Sequence, residues 1–595
     1  MCGIFALLNN NNNDITIDDV NAQFMKGQNR GPEFSKLTSY LKMEIGFHRL
    51  AINGLNSESN QPFEINDIIL VCNGEIYNYK ELYKSMNIVS KTDSDCEVIL
   101  HLYLKYGIEQ TLTMLDGVFS FILYDNRISD DMNNKIFIAR DPLGVRPLYF
   151  LKNKKSNINK NSLDVSLDVS LVVSGNHDLI GFASELKCLH EFVTNDPEKY
   201  TIEQFTPGTY SVFNLSNKVR SSWKPIELYK PYFIPTFSYN LSIDPKTTFD
   251  TFDVLDDIHL LVSHFLVSAV NKRCLTTERP IACLLSGGLD SSLITALVDN
   301  FYKLNDYQQQ LETYSIGLQG SEDLKNARIV ADYLGTKHTE IIVTEEEMCD
   351  AIPEVIYTIE SYDTTSVRAS IGNYLLGKYI SENSDAKVIF NGDGSDELCG
   401  GYLYMNNCPD DIEFDKETRR LLKDIHLFDV LRSDKCISSH GLEPRTPFLD
   451  KTFVNSYLSI YSYYRNHTNH EKIEKYLLRE SFSLSNFENY KGTQILPNEI
   501  LWRRKEAFSD GVSNHGRSLY KIIQDYTSEK LNSNDRSKHH IFESNIDTEK
   551  YYYKDIFDTC YPHSENIVPY LWMPKYTNAT DPSARTLEIY SQEVK

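Results

Sequence analysis

Short apolar runs separated by polar and turn-forming residues characterise the first part of the chain. These runs occupy residues 68–72, 117–124 and 135–139, and glycine, asparagine and aspartate lie between them. Runs of this length with such boundaries predict β-strands. Residues 95–106 differ, because their apolar side chains recur at helical spacing. The pattern therefore predicts an α+β domain with antiparallel sheets over residues 1–210.

The pattern changes after residue 250, where apolar runs alternate with segments of helical periodicity. The runs lie at residues 281–285, 313–316, 338–343 and 387–390. Apolar positions from Leu324 to Leu334 predict a helix that ends at Gly335, and Thr344 with Glu347 forms a capping-box signature. Strands that alternate with helices predict an α/β domain with a doubly wound parallel sheet, in which ligands bind at the carboxyl ends of the strands. Further helices are predicted beyond residue 413, as in residues 421–431 and 473–480.

A linker separates the two predicted domains. Residues 222–246 are rich in proline and aromatic residues and lack periodicity, which predicts a linker over residues 211–250. The second domain is then predicted to occupy residues 251–595.

Two low-complexity segments are interpreted as insertions. An asparagine run covers residues 9–13, and an SLDV repeat covers residues 162–171. Both predict surface loops, although the alternation in the repeat is also compatible with an extended hairpin.

Composition and charge narrow the classes of function. With 595 residues, of which 41% are hydrophobic, the chain is long enough for two or more globular domains. The net charge of −23 argues against a nucleic-acid binder, which needs Lys and Arg to replace counterions, and against an anionic membrane as partner. The 11 cysteines include no C-x-x-C pair, the N-terminus has no basic signal-peptide segment, and no apolar stretch approaches the ~20 residues of a membrane helix. These features predict a cytoplasmic protein that acts on small molecules.

Cys2 is the first residue with catalytic potential. Removal of Met1 would give Cys2 both a thiol and a free α-amino group, whose pKa of ~7.7–8 suits a general base beside its own nucleophile. The thiolate form of such a cysteine attacks a carboxamide carbon. The alternative interpretation is a cysteine near an unprocessed terminus without a catalytic role.

Polar residues that suit an amide substrate accompany Cys2. Asn73 and Gly74 follow a predicted strand and offer a side-chain amide and an accessible backbone N–H, the parts of an oxyanion hole. Arg49 can bind a substrate carboxylate in a bidentate manner, and Asp95 can bind an α-ammonium group. The alternative interpretation pairs Arg49 with Asp95 at the surface and makes Asn73-Gly74 a tight turn.

A glycine-rich turn follows the apolar run at residues 281–285. In Ser286-Gly287-Gly288-Leu289-Asp290-Ser291-Ser292, backbone N–H groups and hydroxyls converge at a helix start, where phosphate binds well. Asp290 supplies a carboxylate for Mg²⁺. Because the turn lacks the Lys of a P-loop, it suits pyrophosphate as a leaving group better than transfer of a γ-phosphoryl group.

A second glycine-rich turn, Asn391-Gly392-Asp393-Gly394-Ser395-Asp396-Glu397, follows the apolar run at residues 387–390. Its position predicts that Asp393 and Asp396 reach the same sheet edge as the first turn. The alternative interpretation is a polar surface loop.

Both groups of motifs resemble known families. Cys2, Arg30-Gly31-Pro32, Arg49-Leu50-Ala51, residues 73–78, Ser94-Asp95 and residues 140–147 resemble the glutaminase domain of N-terminal-nucleophile amidotransferases. The two glycine-rich turns are similar to the ATP-pyrophosphatase domain of glutamine-hydrolysing asparagine synthetases. That second resemblance continues through residues 357–370, 400–402, 441–450, 473–480, 500–511 and 578–587.

The resemblance implies a role for each matching residue. It implies a carbon–nitrogen ligase, expected to be a homodimer, that uses glutamine, aspartate, ATP and Mg²⁺ and forms β-aspartyl-AMP. For glutamine hydrolysis, the catalytic residues would be Cys2, Asn73 and Gly74. Glutamine would be bound by Arg49, Leu50, Ala51, Ile52, Asn53, Asn73, Gly74, Glu75 and Asp95. ATP would be bound by Leu284, Ser286, Gly287, Gly288, Leu289, Asp290, Ser291, Ile316, Asn391 and Gly392. Asp290 and Asp396 would bind the metal, while Asp393 and Lys475 would act in the synthetase reaction.

Three positions depart from the family pattern. Glu33 replaces the usual Asp, Asn391 the usual Ser and Asp393 the usual Glu, so that the Asp393 carboxylate has a shorter reach.

Two other functions are compatible with parts of the sequence. One is an ATP-dependent relative, such as a β-lactam synthetase-like cyclase or an amidotransferase for a larger acid. The other is a non-catalytic regulatory or scaffold protein, against which Cys2 and the intact turn at Ser286 argue.

Overall fold

The computed structural model describes ten segments of the chain: residues 1–10, 15–127, 134–155, 178–215, 222–234, 251–470, 473–505, 511–513, 517–532 and 544–587. The chain divides into two compact units. The first comprises Met1–Ile234, Ser438–Gly441 and Asp558–Pro569, and the second comprises Pro235–Ile437, Leu442–Phe557 and Tyr570–Lys595. The SLDV repeat and most of the asparagine run lie outside the described residues.

Two antiparallel sheets form the first unit, as the sequence predicts for an α+β domain. Their strands are β1 (Gly3–Leu8), β2 (Phe34–Tyr40), β3 (Met43–Arg49), β4 (Phe63–Ile65), β5 (Ile68–Ile76), β6 (Gly117–Asp125), β7 (Asn134–Arg140), β8 (Tyr149–Asn153), β9 (Ile180–Ala183), β10 (Tyr200–Gln204), β11 (Thr209–Leu215) and β12 (Trp223–Pro231). One sheet has the order β10-β8-β9-β1-β3-β2, and the other has the order β12-β11-β7-β6-β5-β4.

Side-chain alternation along the strands builds the core between these sheets. Ile4 and Ala6 of β1 and Ile69 and Val71 of β5 belong to one buried cluster, which fills the space between the sheets. Their neighbours Ile68, Leu70 and Cys72 point to the other face of β5 and pack with helices. The helices of this part of the chain are α1 (Ile17–Met25), α2 (Tyr79–Met86), α3 (Val98–Met114) and α4 (His190–Asn195). The helix predicted at residues 95–106 is confirmed as a 3-10 turn that continues into α3.

Strand β12 lies inside the segment that was predicted as a linker. Its residues pair with β11 from Trp223 to Pro231, so the prediction of irregular structure is wrong there. Proline is compatible with this strand because β12 forms the edge of its sheet and needs fewer ladder hydrogen bonds. Residues 235–250 lie outside the described residues, and the domain boundaries stay a prediction.

A five-stranded parallel sheet organises the second unit, which confirms the predicted doubly wound α/β fold. Its strands are β13 (Ile281–Leu284), β14 (Glu312–Gly317), β15 (Lys337–Ile342), β16 (Val388–Phe390) and β17 (Glu443–Arg445), in the order β15-β14-β13-β16-β17. The winding direction reverses between β13 and β16. Because ligands of such sheets bind where the strand order reverses, the carboxyl ends of these two strands mark the expected site.

Helices make up most of the regular structure in the rest of the described chain. They are α5 (Thr251–Leu275), α6 (Leu289–Leu304), α7 (Glu322–Leu334), α8 (Glu345–Asp350), α9 (Ile352–Ile359), α10 (Thr364–Asn383), α11 (Ser395–Cys399), α12 (Asp411–Asp424), α13 (Asp429–Ser438), α14 (Lys451–Ser459), α15 (Ser462–Arg465), α16 (Tyr476–Ser481), α17 (Asn498–Leu501), α18 (Leu519–Asn532) and α19 (Asn545–Cys560). The end of α7 at Gly335 and the capping box of Thr344 and Glu347 are confirmed. Among the described residues, no helix has the length and apolar character needed to cross a membrane.

Two helix predictions need correction. The helix predicted at residues 421–431 is two helices, α12 and α13, separated by a 3-10 turn at Ile425–Leu427. The helix predicted at residues 473–480 begins only at Tyr476, because Lys475 adopts a left-handed conformation with φ of 58°. Apolar periodicity does not reveal such a break, which here places the Lys475 side chain in a cavity described below.

A buried ion cluster holds the C-terminal segment against α10. The Arg368 guanidinium donates to both carboxylate oxygens of Glu549, at 2.8 and 2.6 Å, and to both of Asp581, at 2.8 and 2.9 Å. All three side chains are nine-tenths buried or more. Removing one partner of a buried ion pair leaves the other charge buried without a counter-charge. This lowers the free energy of unfolding far more than the loss of an exposed pair does.

Arg368→Leu is therefore expected to lower the free energy of unfolding by about 3–5 kcal/mol. Urea unfolding followed by circular dichroism measures this change. Arg328→Leu is the matched control, because Arg328 pairs with Glu340 while 45% exposed and should contribute at most about 1 kcal/mol. Equal losses in the two variants would contradict the buried-cluster interpretation.

Candidate active sites

Cys2 lies at the start of β1, against the core between the two sheets of the first unit. Its side chain is half-buried, and the Sγ atom lies 3.6 Å from the carbonyl oxygen of Leu50. The Cys2 carbonyl oxygen accepts a hydrogen bond of 3.0 Å from Arg30 Nε. Arg30 in turn forms a buried ion pair of 2.6 Å with Glu185, which holds the guanidinium group that contacts the Cys2 backbone. The sequence analysis assigned no role to Glu185.

The Asn73-Gly74 pair lies within β5, opposite Ser120 and Phe119 of β6, so the alternative of a tight turn is wrong. Asn73 follows Val71 by two residues and therefore points to the same side, towards the core between the sheets. Its Nδ2 atom donates to Ser184 Oγ at 3.3 Å. A side chain at Gly74 would collide with the neighbouring strand, because a Cβ atom there would lie 2.3 Å from the Val118 carbonyl oxygen.

Arg49 and Asp95 are both buried, at 6% and 3% exposure, which excludes the alternative of a surface ion pair. Arg49 donates to the carbonyl oxygens of Gly54 and, at 2.8 Å, Asn56. Asp95 accepts the Ile76 N–H at 2.7 Å, which ties it to the end of β5.

The remaining predicted glutamine binders form a connected loop after β3. Leu50, Ala51, Ile52 and Asn53 are all buried. Asn53 Nδ2 donates to Glu75 Oε2 at 2.7 Å, so the loop is linked to the strand that carries Asn73. Glu33, which stands where the family usually has Asp, accepts the Ala51 N–H at 2.6 Å and so contacts this loop.

A cavity of about 220 Å³ lies at the carboxyl ends of β13 and β16, where the strand order reverses. Of the residues predicted for ATP, metal and the synthetase reaction, all but Gly287 line it: Leu284, Ser286, Gly288, Leu289, Asp290, Ser291, Ile316, Asn391, Gly392, Asp393, Asp396 and Lys475. Gly287 instead supports the turn from behind. Its φ is 73°, a Cβ atom there would lie 2.4 Å from the Ala327 nitrogen, and its carbonyl accepts Arg503 NH1 at 3.0 Å.

The two glycine-rich turns contact each other. Ser395 Oγ donates to Asp290 Oδ1 at 2.8 Å, and a Cβ atom at Gly392 would lie 2.7 Å from the Asp290 carbonyl carbon. Within the first turn, the Ser286 and Ser291 hydroxyls lie 3.0 Å apart. The second turn is therefore part of the cavity wall and not a separate surface loop.

Lys475 bridges two carboxylates of the cavity. Its Nζ atom lies 2.5 Å from Asp290 Oδ2 and 2.5 Å from Asp396 Oδ1, and its side chain is 2% exposed. Burial opposes the charge, but the two carboxylates outweigh it and raise the pKa of Lys475 above its usual value. Burial likewise raises the pKa of Asp396, but Lys475 and Lys505 together hold it well below the usual range of a carboxyl.

Asp393 lies further along the same wall. Its Oδ1 atom is 3.3 Å from Arg432 NH2, and burial raises the pKa of its carboxyl despite that cation. Asn391 Nδ2 donates to Ser433 Oγ at 2.7 Å, so the amide that replaces the family's usual Ser is held by α13.

Comparison with known proteins covers both units. Residues 1–224 match the family described as a glutamine amidotransferase domain, and residues 261–411 and 406–580 match the family described as asparagine synthase. The chain is 40% identical over 607 residues to the glutamine-hydrolysing asparagine synthetase of Cricetulus griseus, 40% over 610 residues to that of Gallus gallus and 38% over 606 residues to that of Homo sapiens. Each of these alignments covers 100% of this chain and 100% of the relative.

The chain belongs to the glutamine-hydrolysing asparagine synthetase family. The full-length match confirms the family resemblance that the motifs indicated. Within this asparagine synthetase fold, acidic and phenolic groups without a predicted role also line the cavity, among them Glu397, Tyr402 and Asp429. Tyr402 OH donates to Glu397 Oε1 at 2.7 Å and lies 3.0 Å from Asp429 Oδ2. Burial and the neighbouring Asp429 raise the pKa of Glu397 well above its usual value.

Two carboxylates of the cavity, Asp290 and Asp396, are the candidate ligands for a metal ion. In the part of the chain that the structure describes, no group of three or more His, Cys, Asp or Glu side chains is arranged to hold a metal ion. Asp290 and Asp396 nevertheless both contact Lys475, and two neighbouring carboxylates suit Mg²⁺, whose other ligands in proteins are usually phosphates and water. The donor set therefore fits the ion that the family resemblance implies.

Proposed function

We propose that the protein converts L-aspartate, L-glutamine, ATP and water into L-asparagine, L-glutamate, AMP and diphosphate. The observation that carries this proposal is the pairing, in one chain, of two chemically different sites. One is a thiol at the start of β1 in the first unit, and the other is the cavity between the two glycine-rich turns in the second. Two sites suit this reaction because a separate glutaminase supplies nitrogen as ammonia, the nucleophile that the ligase step requires.

The first site releases ammonia from glutamine. After removal of Met1, the Cys2 α-amino group takes the thiol proton, and the thiolate attacks the side-chain amide carbon of glutamine. The Asn73 amide and the Gly74 N–H stabilise the oxyanion that forms. Arg49 and Asp95 bind the α-carboxylate and α-ammonium groups, with the contacts of Glu75 and the loop of residues 50–53 completing the pocket. The C–N bond breaks, ammonia leaves with the transferred proton, and water hydrolyses the remaining thioester to glutamate.

The second site activates aspartate. The aspartate side-chain carboxylate attacks the α-phosphorus of ATP, the bond to the bridging oxygen breaks, and diphosphate leaves. We assign the diphosphate to the turn from Ser286 to Ser291, and the adenylate to Leu284, Ile316, Asn391 and Gly392. Asp393 supports formation of β-aspartyl-AMP, and Lys475 supplies positive charge when ammonia displaces AMP to form the amide.

Asp290 and Asp396 are the residues that would hold Mg²⁺. The ion, when bound, neutralises charge on the phosphate oxygens of the nucleotide. In the protein itself, Lys475 and Lys505 keep Asp396 ionised at neutral pH, which maintains the carboxylate as a ligand.

The products of the purified protein test this proposal. With glutamine, aspartate and Mg-ATP, asparagine, AMP and diphosphate are expected in equal amounts, with one glutamate or more per asparagine. Chromatography measures AMP, asparagine and glutamate, and an enzyme-coupled assay measures diphosphate. Formation of ADP and phosphate, or release of AMP without any asparagine, would contradict the proposal.

A further inference from the structure

The orientation of the Asn73 amide depends on one hydrogen bond. In the described part of the chain, the buried Oδ1 atom of Asn73 has no hydrogen-bond partner. The amide nitrogen has one partner among these residues, the hydroxyl oxygen of Ser184 at 3.3 Å. Among the described residues, the hydrogen bond to Ser184 is therefore the one side-chain contact that holds the amide in this orientation.

Ser184 follows β9 and is itself held firmly by β1. Its backbone N–H donates to the Ile4 carbonyl at 3.0 Å, and its Oγ atom accepts the Ile4 N–H at 3.1 Å. Ile4 is two residues from Cys2, so Ser184 connects the strand that carries the thiol with the Asn73 amide in the opposite sheet. The side chain is 1% exposed, which excludes water as a competing partner on most sides.

In the structure the Ser184 hydroxyl oxygen accepts hydrogen bonds from two N–H groups. A serine hydroxyl has two acceptor lone pairs and one proton. The Ile4 N–H takes one lone pair and the Asn73 amide N–H takes the other, so that in this orientation the hydroxyl acts as an acceptor towards Asn73. An amide nitrogen carries two N–H bonds, so one is engaged by Ser184 and the second stays available for a developing negative charge.

We propose that Ser184 is the positioning residue that keeps the Asn73 N–H, and not its carbonyl oxygen, directed at the reacting amide of glutamine. This inference rests on the proposed role of Asn73 in stabilising the oxyanion. Without Ser184, the flipped amide presents an oxygen lone pair to the oxyanion and repels it. Loss of one oxyanion donor lowers kcat by about 10²–10³-fold, so partial loss of orientation should lower it by about 10–100-fold.

Ser184→Ala in the full-length protein tests the proposal. The kcat for glutamine hydrolysis is expected to fall about 10–100-fold, while KM for glutamine changes by less than about twofold because the oxyanion forms only after binding. Alkylation of Cys2 by iodoacetamide should keep its rate, since that reaction forms no oxyanion. Asparagine synthesis from added ammonia should also be unchanged.

Ser120→Ala is the matched control. Ser120 lies directly opposite Asn73 in the β5–β6 ladder and is fully buried, but its Oγ atom has no hydrogen-bond partner in the described part of the chain. Its removal should leave kcat within about twofold if orientation of Asn73 is what matters. Should Ser184→Ala fail to fold, Ser184→Cys keeps a similar shape with a weaker acceptor and should also lower kcat.

A double-mutant cycle separates this proposal from the proposed function. Ser184→Ala is expected to add nothing in an Asn73→Ala background, because both changes remove the same interaction. If Asn73→Ala hydrolyses glutamine normally, the assigned role of Asn73 fails. If Asn73→Ala is impaired and Ser184→Ala multiplies the loss, or if Ser184→Ala alone changes KM and not kcat, the positioning role of Ser184 is overturned.

Discussion

Replacing Cys2 by alanine is expected to abolish glutamine-dependent asparagine formation and to spare the reaction with added ammonia. The change removes the nucleophile that forms the thioester, and enzymes that lose their nucleophile lose on the order of 10⁴-fold or more in kcat. The second unit, with its own core and its own cavity, keeps every residue assigned to aspartate activation. The measurement is asparagine formed from glutamine and, in parallel, from ammonium chloride at pH 8.

Cys560→Ala is the control for this experiment. Cys560 belongs to the same unit and is also half-buried, but it lies at the end of α19 and has no assigned role. Both reactions should be unchanged in that variant. Glutamine-dependent activity in Cys2→Ala above about 1% of normal would contradict the assigned nucleophile. Loss of the ammonia-dependent reaction would instead contradict two separable sites.

Much of the glutaminase site follows from local sequence, whereas its supports do not. Cys2, Asn73 and Arg49 have chemical properties that identify them as a group. Ser184 and Glu185 are ordinary residues in sequence, and only the fold brings them to Asn73 and Arg30. Ser184 is 111 residues from Asn73 along the chain. No local pattern encodes a contact of that separation, because it depends on how the two sheets pack.

The synthetase cavity shows the same division. Parallel-sheet topology predicts that the turns after β13 and β16 meet, and the structure confirms this through Ser395 and Asp290. The lysines of the cavity come from distant parts of the sequence, since Lys475 is 185 residues from Asp290. The sequence around a lysine does not reveal whether its side chain is buried between two carboxylates or exposed to solvent. Lys475 was identified only through the family resemblance, and Lys505 and Arg503 were not assigned roles.

The secondary-structure errors also have physical causes. The strand at Trp223–Pro231 contains prolines that usually disfavour a strand, but an edge position removes their cost. The helix before Tyr476 was predicted from apolar spacing, yet the backbone turns left-handed at Lys475. That turn places the ammonium group between Asp290 and Asp396, so the site requirement overrides local propensity.

Replacing Lys475 by methionine is expected to lower ammonia-dependent asparagine synthesis by about 10²–10³-fold, the usual cost of removing one preorganised charge from an active site. Methionine fills much of the same space beside Gly401, which packs closely against the lysine stem, because a Cβ atom at Gly401 would lie 1.9 Å from the Lys475 Cε atom. The variant leaves Asp290 without this cation, while Asp396 keeps Lys505. Glutamine hydrolysis by the first unit should be unchanged, and it is measured in the same preparation as glutamate formed without ATP.

Lys435→Met distinguishes a lost active-site charge from a lost buried ion pair. Lys435 and Glu360 are both fully buried and paired, but Lys435 does not line the cavity. Both variants should lose stability, by about 3–5 kcal/mol for a broken buried pair. At a temperature where both are folded by circular dichroism, Lys435→Met should keep synthetase activity within a fewfold of normal and Lys475→Met should not. If the two variants have equal synthetase activity, the Lys475 charge has no role in the reaction, and Lys475 contributes only to stability.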